Sequence, residues 1–191
     1  MTVNAERKSS QMEATDVIRR LHEHRAWVNA NLLASVRDLS EEQLQRPFAI
    51  GQGSIWKSLT HLYAAEYVWL QALLGEEAAV LPGDLPDRLP GNQMGEGKIS
   101  GLDELTQDWS TLNQRWTEYL NGLSASSLDE IVMKKSINLG VRFGASRADV
   151  LIHVCTHAHY TVAQVVNMLR QTGVAKLPNT MLMALARLQG Q

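Results

Sequence analysis

The sequence predicts an all-α fold: an antiparallel four-helix bundle with a small β-hairpin before the last long helix and a short C-terminal helix. Three observations carry the prediction. Four long stretches repeat apolar residues every three or four positions, the period of a helix with one buried face. Those stretches take up about two thirds of the chain, a share that few architectures other than a helix bundle use. One short stretch instead reads as two β-compatible runs around Asn138-Leu139-Gly140.

The first helix spans about Met12 to Leu39, with Val17, Leu21, Val28, Leu32 and Val36 expected on its buried face. It stops before Ser40-Glu41-Glu42-Gln43, which has the form of a capping box opening a short helical turn ahead of Pro47. The break Gly51-Gln52-Gly53 leaves Ser54 as N-cap of a second helix, whose face is Ile55, Leu59, Leu62, Ala65, Trp69 and Leu73, ending at Gly75. Residues 82–101 hold Pro82, Pro86, Pro90 and several glycines without periodicity, so a long surface loop is expected there, placed to act as a lid. The third helix, Leu102 to Leu123, steps through Leu105, Trp109, Leu112, Trp116 and Leu120. Ile131-Val132-Met133 and Val141-Arg142-Phe143 are the expected hairpin strands. The fourth helix begins near Ser146, buries Leu151, Val154, Ala158, Val162, Val165 and Leu169, and ends at Gly173. A short helix from Thr180 to Leu188, rich in Met and Leu, closes the chain.

With 191 residues, 45% of them hydrophobic and 20% charged, the chain can bury a core, and a single domain over residues 1–191 is expected, with 1–10 flexible. A net charge of −2, from 18 basic and 20 acidic residues interspersed, offers no footprint for a phosphate backbone, so nucleic acid is not an expected partner. The most apolar stretch, Leu59 to Leu74, is broken by His61, Glu66 and Gln71, and no membrane span is expected. A lone Cys155 and a polar N-terminus point to a reducing cytoplasm.

Chemistry gathers on the histidines. His153 and His157 are four residues apart, about 40° around a helix and roughly 6 Å along it, so both imidazoles can aim at one point between helices. His61 on a facing helix would complete a set of three, leaving coordination positions open for water or substrate around zinc or a similar divalent ion. A hydrogen-bonded core or surface role is the plain alternative for each. For His22, His24 and His159 that plain role is the expectation, and Cys155, on the opposite side of the helix from His157, is expected to be a small buried hydrophobe. The five tryptophans recur at core spacings.

Gly53-Ser54-Ile55 leading into Leu59-Thr60-His61-Leu62, then Leu151-Ile152-His153-Val154-Cys155-Thr156-His157, Gln164, Leu169-Arg170 and Gly173 resemble the DinB-like (DinB/YfiT-like) superfamily over nearly the whole chain. That superfamily is unrelated to the similarly named DNA polymerase. The resemblance implies a divalent-metal-dependent enzyme, a thiol transferase or hydrolase acting on a small molecule. It implies zinc or nickel as cofactor, a low-molecular-weight thiol as candidate substrate, and a homodimer by fold analogy. Family metal ligands map onto His61 and His157, but the third maps onto Thr161, and the family's His-Arg-Gly-Gln run here reads Thr161-Val162-Ala163-Gln164. His153, or a carboxylate such as Glu66 or Glu23, is then the expected substitute, and the metal set expected is His61, His153 and His157. A metal-free binding or assembly protein of the same fold is the rival expectation, with the histidines hydrogen-bonded to Thr161, Tyr160 or water.

Overall fold

A computed structural model describes residues 12–136 and 139–190; the N-terminal ten residues and Asn138 of the expected turn lie outside them. The elements run α1 (Ala14–Val36), α2 (Glu41–Gln45), α3 (Ile55–Leu73), α4 (Leu102–Asn121), a 3-10 turn (Ala125–Ser127), β1 (Ile131–Ser136), β2 (Val141–Ser146), α5 (Arg147–Thr172) and α6 (Leu182–Gln189). The molecule is mostly helical, with one two-stranded sheet.

Serine caps and a glycine stop set the boundaries, those at Ser40, Ser54 and Gly173 as predicted. Ser40 accepts from the Gln43 N–H while the Gln43 side chain accepts from the Ser40 N–H, a reciprocal capping box that opens α2. Ser54 caps α3 through the Lys57 N–H at 3.1 Å, and Ser146 caps α5 through the Asp149 N–H at 3.1 Å. Gly173, at φ +77°, ends α5 in the left-handed conformation that costs glycine least.

α5 packs on α3 and α1, and α4 packs on the same two helices, so each long helix touches two of the others. The predicted apolar faces of α4 and α5 are all buried, and on α3 only Trp69 is partly exposed. On α1 the buried stripe differs from the predicted one: Val17 is 46% exposed, whereas Ile18 is inside. Val28, Leu32 and Val36 are buried as predicted, and the buried face also takes in Ile18, His22, Arg25 and Asn29, so three polar residues stand at its centre. Apolar periodicity does not mark this seam, because its middle is polar: His22 bonds the Leu151 carbonyl and Arg25 and Asn29 meet Glu66, while His22 Nδ1, Arg25 Nε and Asn29 Oδ1 are buried without a hydrogen-bond partner among the described residues.

β1 and β2 pair antiparallel, with Ile131 opposite Ser146 and Lys134 opposite Phe143. Val132 and Lys134 point inward. The hairpin is tied to the segment after α3, where the Glu77 carbonyl accepts from the Lys135 N–H at 2.8 Å and its carboxylate takes a two-pronged pair from Arg142 at 2.7 and 2.9 Å. The C-terminal helix buries Leu185 and is tied to α1 by Gln189, which bonds Arg20 and Glu23; Met181, Met183 and Leu188 are exposed. No described helix is long and apolar enough to cross a membrane.

Candidate metal centre

His61 and His157 meet between α3 and α5. Their Nε2 atoms lie 3.2 Å apart and their rings cross edge-on at a centroid distance of 5.1 Å. Helix packing alone does not fix the His61 ring. Its Nδ1 lies 2.8 Å from the Pro90 carbonyl in the 74–101 connection. A carbonyl oxygen can only accept, so Nδ1 carries a proton and donates, and in the neutral ring Nε2 then presents its lone pair toward His157. This is the arrangement by which an outer hydrogen bond orients a metal-binding imidazole.

That contact needs the connecting segment to lie hard against α3. Gly91 makes it possible: at φ +85°, a Cβ there would sit 2.4 Å from the Cα and N atoms of His61. Thr60 holds the same point by donating its hydroxyl to the Gly91 carbonyl at 2.8 Å. The expected loop is therefore a strap docked on α3 beside the histidine.

Burial pushes the His157 pKa down to about 4, helped by the neighbouring imidazoles of His61 and His153, so its ring is neutral at neutral pH. Metal–nitrogen bonds of about 2.0–2.1 Å would make a 3.2 Å separation subtend roughly 100° at one shared ion. The pair fits two positions of a divalent centre.

The remaining expected ligands stand elsewhere. His153 lies on the open side of His157, its ring 5.8 Å from that of His157 and 5.2 Å from Trp69, which in turn meets Phe143 of the hairpin at 6.3 Å. Thr161 is buried on α5 one turn past His157. Glu66, a suggested substitute, is instead the centre of a buried network. Its carboxylate takes the Arg25 guanidinium at 2.6 Å, the Asn29 amide at 2.7 Å and the Trp109 indole N–H at 2.9 Å. Glu23 is exposed and bound to Arg20. Among the described residues, no group of three or more His, Cys, Asp or Glu side chains is arranged to hold an ion.

The polar network around Glu66 was not anticipated, although the spacing of His22, Arg25 and Asn29 in step with Ile18 and Leu32 could have revealed it. The Arg25 guanidinium sits 4.9 Å over the Trp116 ring, which packs on His22 at 4.8 Å. His22 and His24 occupy packing positions as expected: the His22 Nε2–H donates to the Leu151 carbonyl at 3.1 Å, and the His24 Nε2–H to the Thr180 carbonyl at 3.0 Å. Cys155 is buried, and burial lifts its thiol to about 12, so it is no nucleophile.

Two imidazoles converging between packed helices, one of them braced by a backbone carbonyl, sit in a mostly helical protein of the helix-bundle class. The chain belongs to the DinB superfamily, whose family model matches residues 24–165. It is similar to the protein DinB of Bacillus subtilis (strain 168), with 21% identity over 167 residues, covering 86% of this chain and 91% of that one. Its fold is like that of YfiT from Bacillus subtilis, described as "a probable metal-dependent hydrolase with an unusual four-helix bundle topology". The TM-score is 0.62 at 17% identity, over 87% of this chain and 93% of YfiT.

Proposed function

We propose that this protein is a divalent-metal-dependent enzyme acting on a small molecule, a hydrolase or a thiol transferase, with zinc or nickel held by His61 and His157. One observation carries the reading: two imidazole Nε2 atoms 3.2 Å apart, one ring pre-set by the Pro90 carbonyl. The superfamily and the description of YfiT support it. His153 is the third ligand in this reading; rotating its ring away from Trp69 toward His157, one turn along α5, is the rearrangement required. A divalent ion so bound would supply Lewis acidity toward a carbonyl oxygen, a water or a thiol. Trp69 and Phe143, on the open side, form an apolar wall for the organic part of the substrate, for which a low-molecular-weight thiol is the suggested class. The reading takes the chain as one domain, an antiparallel bundle, working in the cytoplasm as a homodimer.

The decisive experiment is metal analysis of tag-free protein after loading with zinc or nickel. About one equivalent is expected, lost in His61→Ala and in His157→Ala; below about one tenth of an equivalent in the unsubstituted protein overturns the reading.

A second reading has its own observation: Thr161 stands where the superfamily places a ligand, and no third ligating group converges among the described residues. In a metal-free binding or assembly protein, the His157 Nε2–H donates to the His61 Nε2 lone pair and the cleft is simply polar. His61→Ala would then leave metal content at zero and cost only packing stability.

A further inference from the structure

The strap that meets His61 is organised by one carboxylate. Asp84 accepts from the Gly91 N–H at 2.6 Å through one oxygen, and from the Gln93 N–H at 2.9 Å and the Gln93 side-chain amide at 2.8 Å through the other. Three donors on one anion, two of them backbone, are strong, directional bonds that no neutral side chain of the same size could replace together. The loop is closed behind them by the Gly95 N–H on the Gly83 carbonyl at 2.8 Å and by Asn92, which bonds both the N–H and the carbonyl of Leu85. Gly91, which Asp84 holds, follows directly on Pro90, whose carbonyl takes the His61 Nδ1–H. A backbone pinned at 91 and 93 and fixed in φ at Pro90 leaves that carbonyl little freedom of direction.

We infer that Asp84 is a positioning residue for the imidazole pair: its grip on Gly91 and Gln93 sets the Pro90 carbonyl, and the carbonyl fixes which nitrogen of His61 carries the proton. Neutral imidazole in water divides its proton between the two nitrogens, so a site that needs the Nε2 lone pair works only in the fraction with the proton on Nδ1. With Asp84 in place the carbonyl favours the proton on Nδ1 before any ligand arrives, and the pair is set without a tautomer change. The consequence for metal affinity rests on the metal reading above; the tautomer itself does not.

The test uses full-length protein with 15N-labelled histidine, metal-free, with long-range 1H–15N correlation to read the ring nitrogens and His61→Gln to assign His61. Wild type is expected to show a single His61 species protonated at Nδ1. In Asp84→Ala the His61 nitrogens should move toward averaged shifts, and zinc binding, measured by competition with a chelator, should weaken by about 10- to 100-fold. Asp87→Ala, a largely exposed carboxylate of the same strap, should change neither. If Asp84→Ala loses its helical circular dichroism, the isosteric Asp84→Asn carries the same measurements. An unchanged His61 tautomer in the folded variant overturns the inference, whatever zinc does. A tautomer that shifts in a protein that binds no zinc leaves the inference standing and removes the metal reading.

Discussion

Glu66 and Arg25 are both almost fully buried, and an ion pair in that setting is held by geometry rather than by surplus energy. Removing one partner strands the other. Glu66→Ala is expected to cost about 3–5 kcal/mol in urea unfolding, because the Arg25 charge loses its counter-ion and Trp109 loses its acceptor. Zinc affinity per folded molecule should stay the same, which separates this structural carboxylate from a ligand. His22, beside the same network, is pushed down to about 3 by burial first and by the Arg25 charge second, against a hydrogen bond to Leu151 that pulls the other way. Its folded pKa lies below its unfolded value near 6.5, so the unfolded chain takes up the proton first as pH falls. Stability is therefore full above about pH 6.5 and is lost progressively from there down toward pH 3, by up to roughly 4 kcal/mol from this residue. His22→Gln keeps an N–H for the Leu151 carbonyl and cannot titrate in this range. Its denaturant midpoint should fall less between pH 7 and pH 4 than that of the wild type, and an identical fall in both proteins would show that His22 is not the titrating group. Thr161→His places an imidazole four residues after His157, where the resemblance implies a metal ligand. Under the metal reading it should tighten zinc by at least about tenfold and make His153→Ala harmless, because the third ligand no longer depends on His153.

At the scale of elements, the helices were legible in sequence because their signals agree: Ser40 and Ser54 cap where predicted, α5 begins at the predicted Ser146, Gly173 stops it, and the α4 and α5 faces are buried as read. The α1 seam was legible at Val28, Leu32 and Val36 and missed at its polar centre for a physical reason. Its centre is His22, Arg25 and Asn29, and a polar residue enters the core unseen by any apolar count when its partners, Glu66 and the Leu151 carbonyl, lie on other helices. The candidate site was half legible. His61 and His157 could be picked out by spacing and resemblance, but the strap was not foreseeable, since its role depends on Gly91 reaching the backbone of His61 across thirty residues of chain. That close approach gives an element-scale prediction. Gly91→Ala places a Cβ against backbone atoms that cannot move without shifting α3, at a φ that L-residues avoid. It should cost at least about 2 kcal/mol, more than the roughly 1 kcal/mol expected for removing the α5 cap in Ser146→Ala. Thermal melts of the two variants side by side check the order.

For the whole molecule, metal binding and folding are one equilibrium if His61 and His157 share an ion, because two helices far apart in sequence must be packed before their Nε2 atoms lie 3.2 Å apart. The unfolded chain offers no such pair, so under the metal reading zinc binds the folded state selectively and raises its stability by mass action. At free zinc one hundred times the dissociation constant the gain is about 2.7 kcal/mol, and it grows with the logarithm of zinc concentration. The metal-free reading predicts the opposite sign or nothing, since zinc then finds only scattered histidines, better exposed after unfolding. A thermal-shift series in zinc therefore distinguishes the readings without any substrate: a midpoint that climbs with zinc in the wild type, and stays flat in His61→Ala and His157→Ala, ties the ion to this pair. Running the series at several protein concentrations separates a second contribution, because a dimer formed through the exposed Met181, Met183 and Leu188 of the C-terminal segment would also raise the midpoint, but with protein rather than with zinc, and Met183→Glu would abolish only that part.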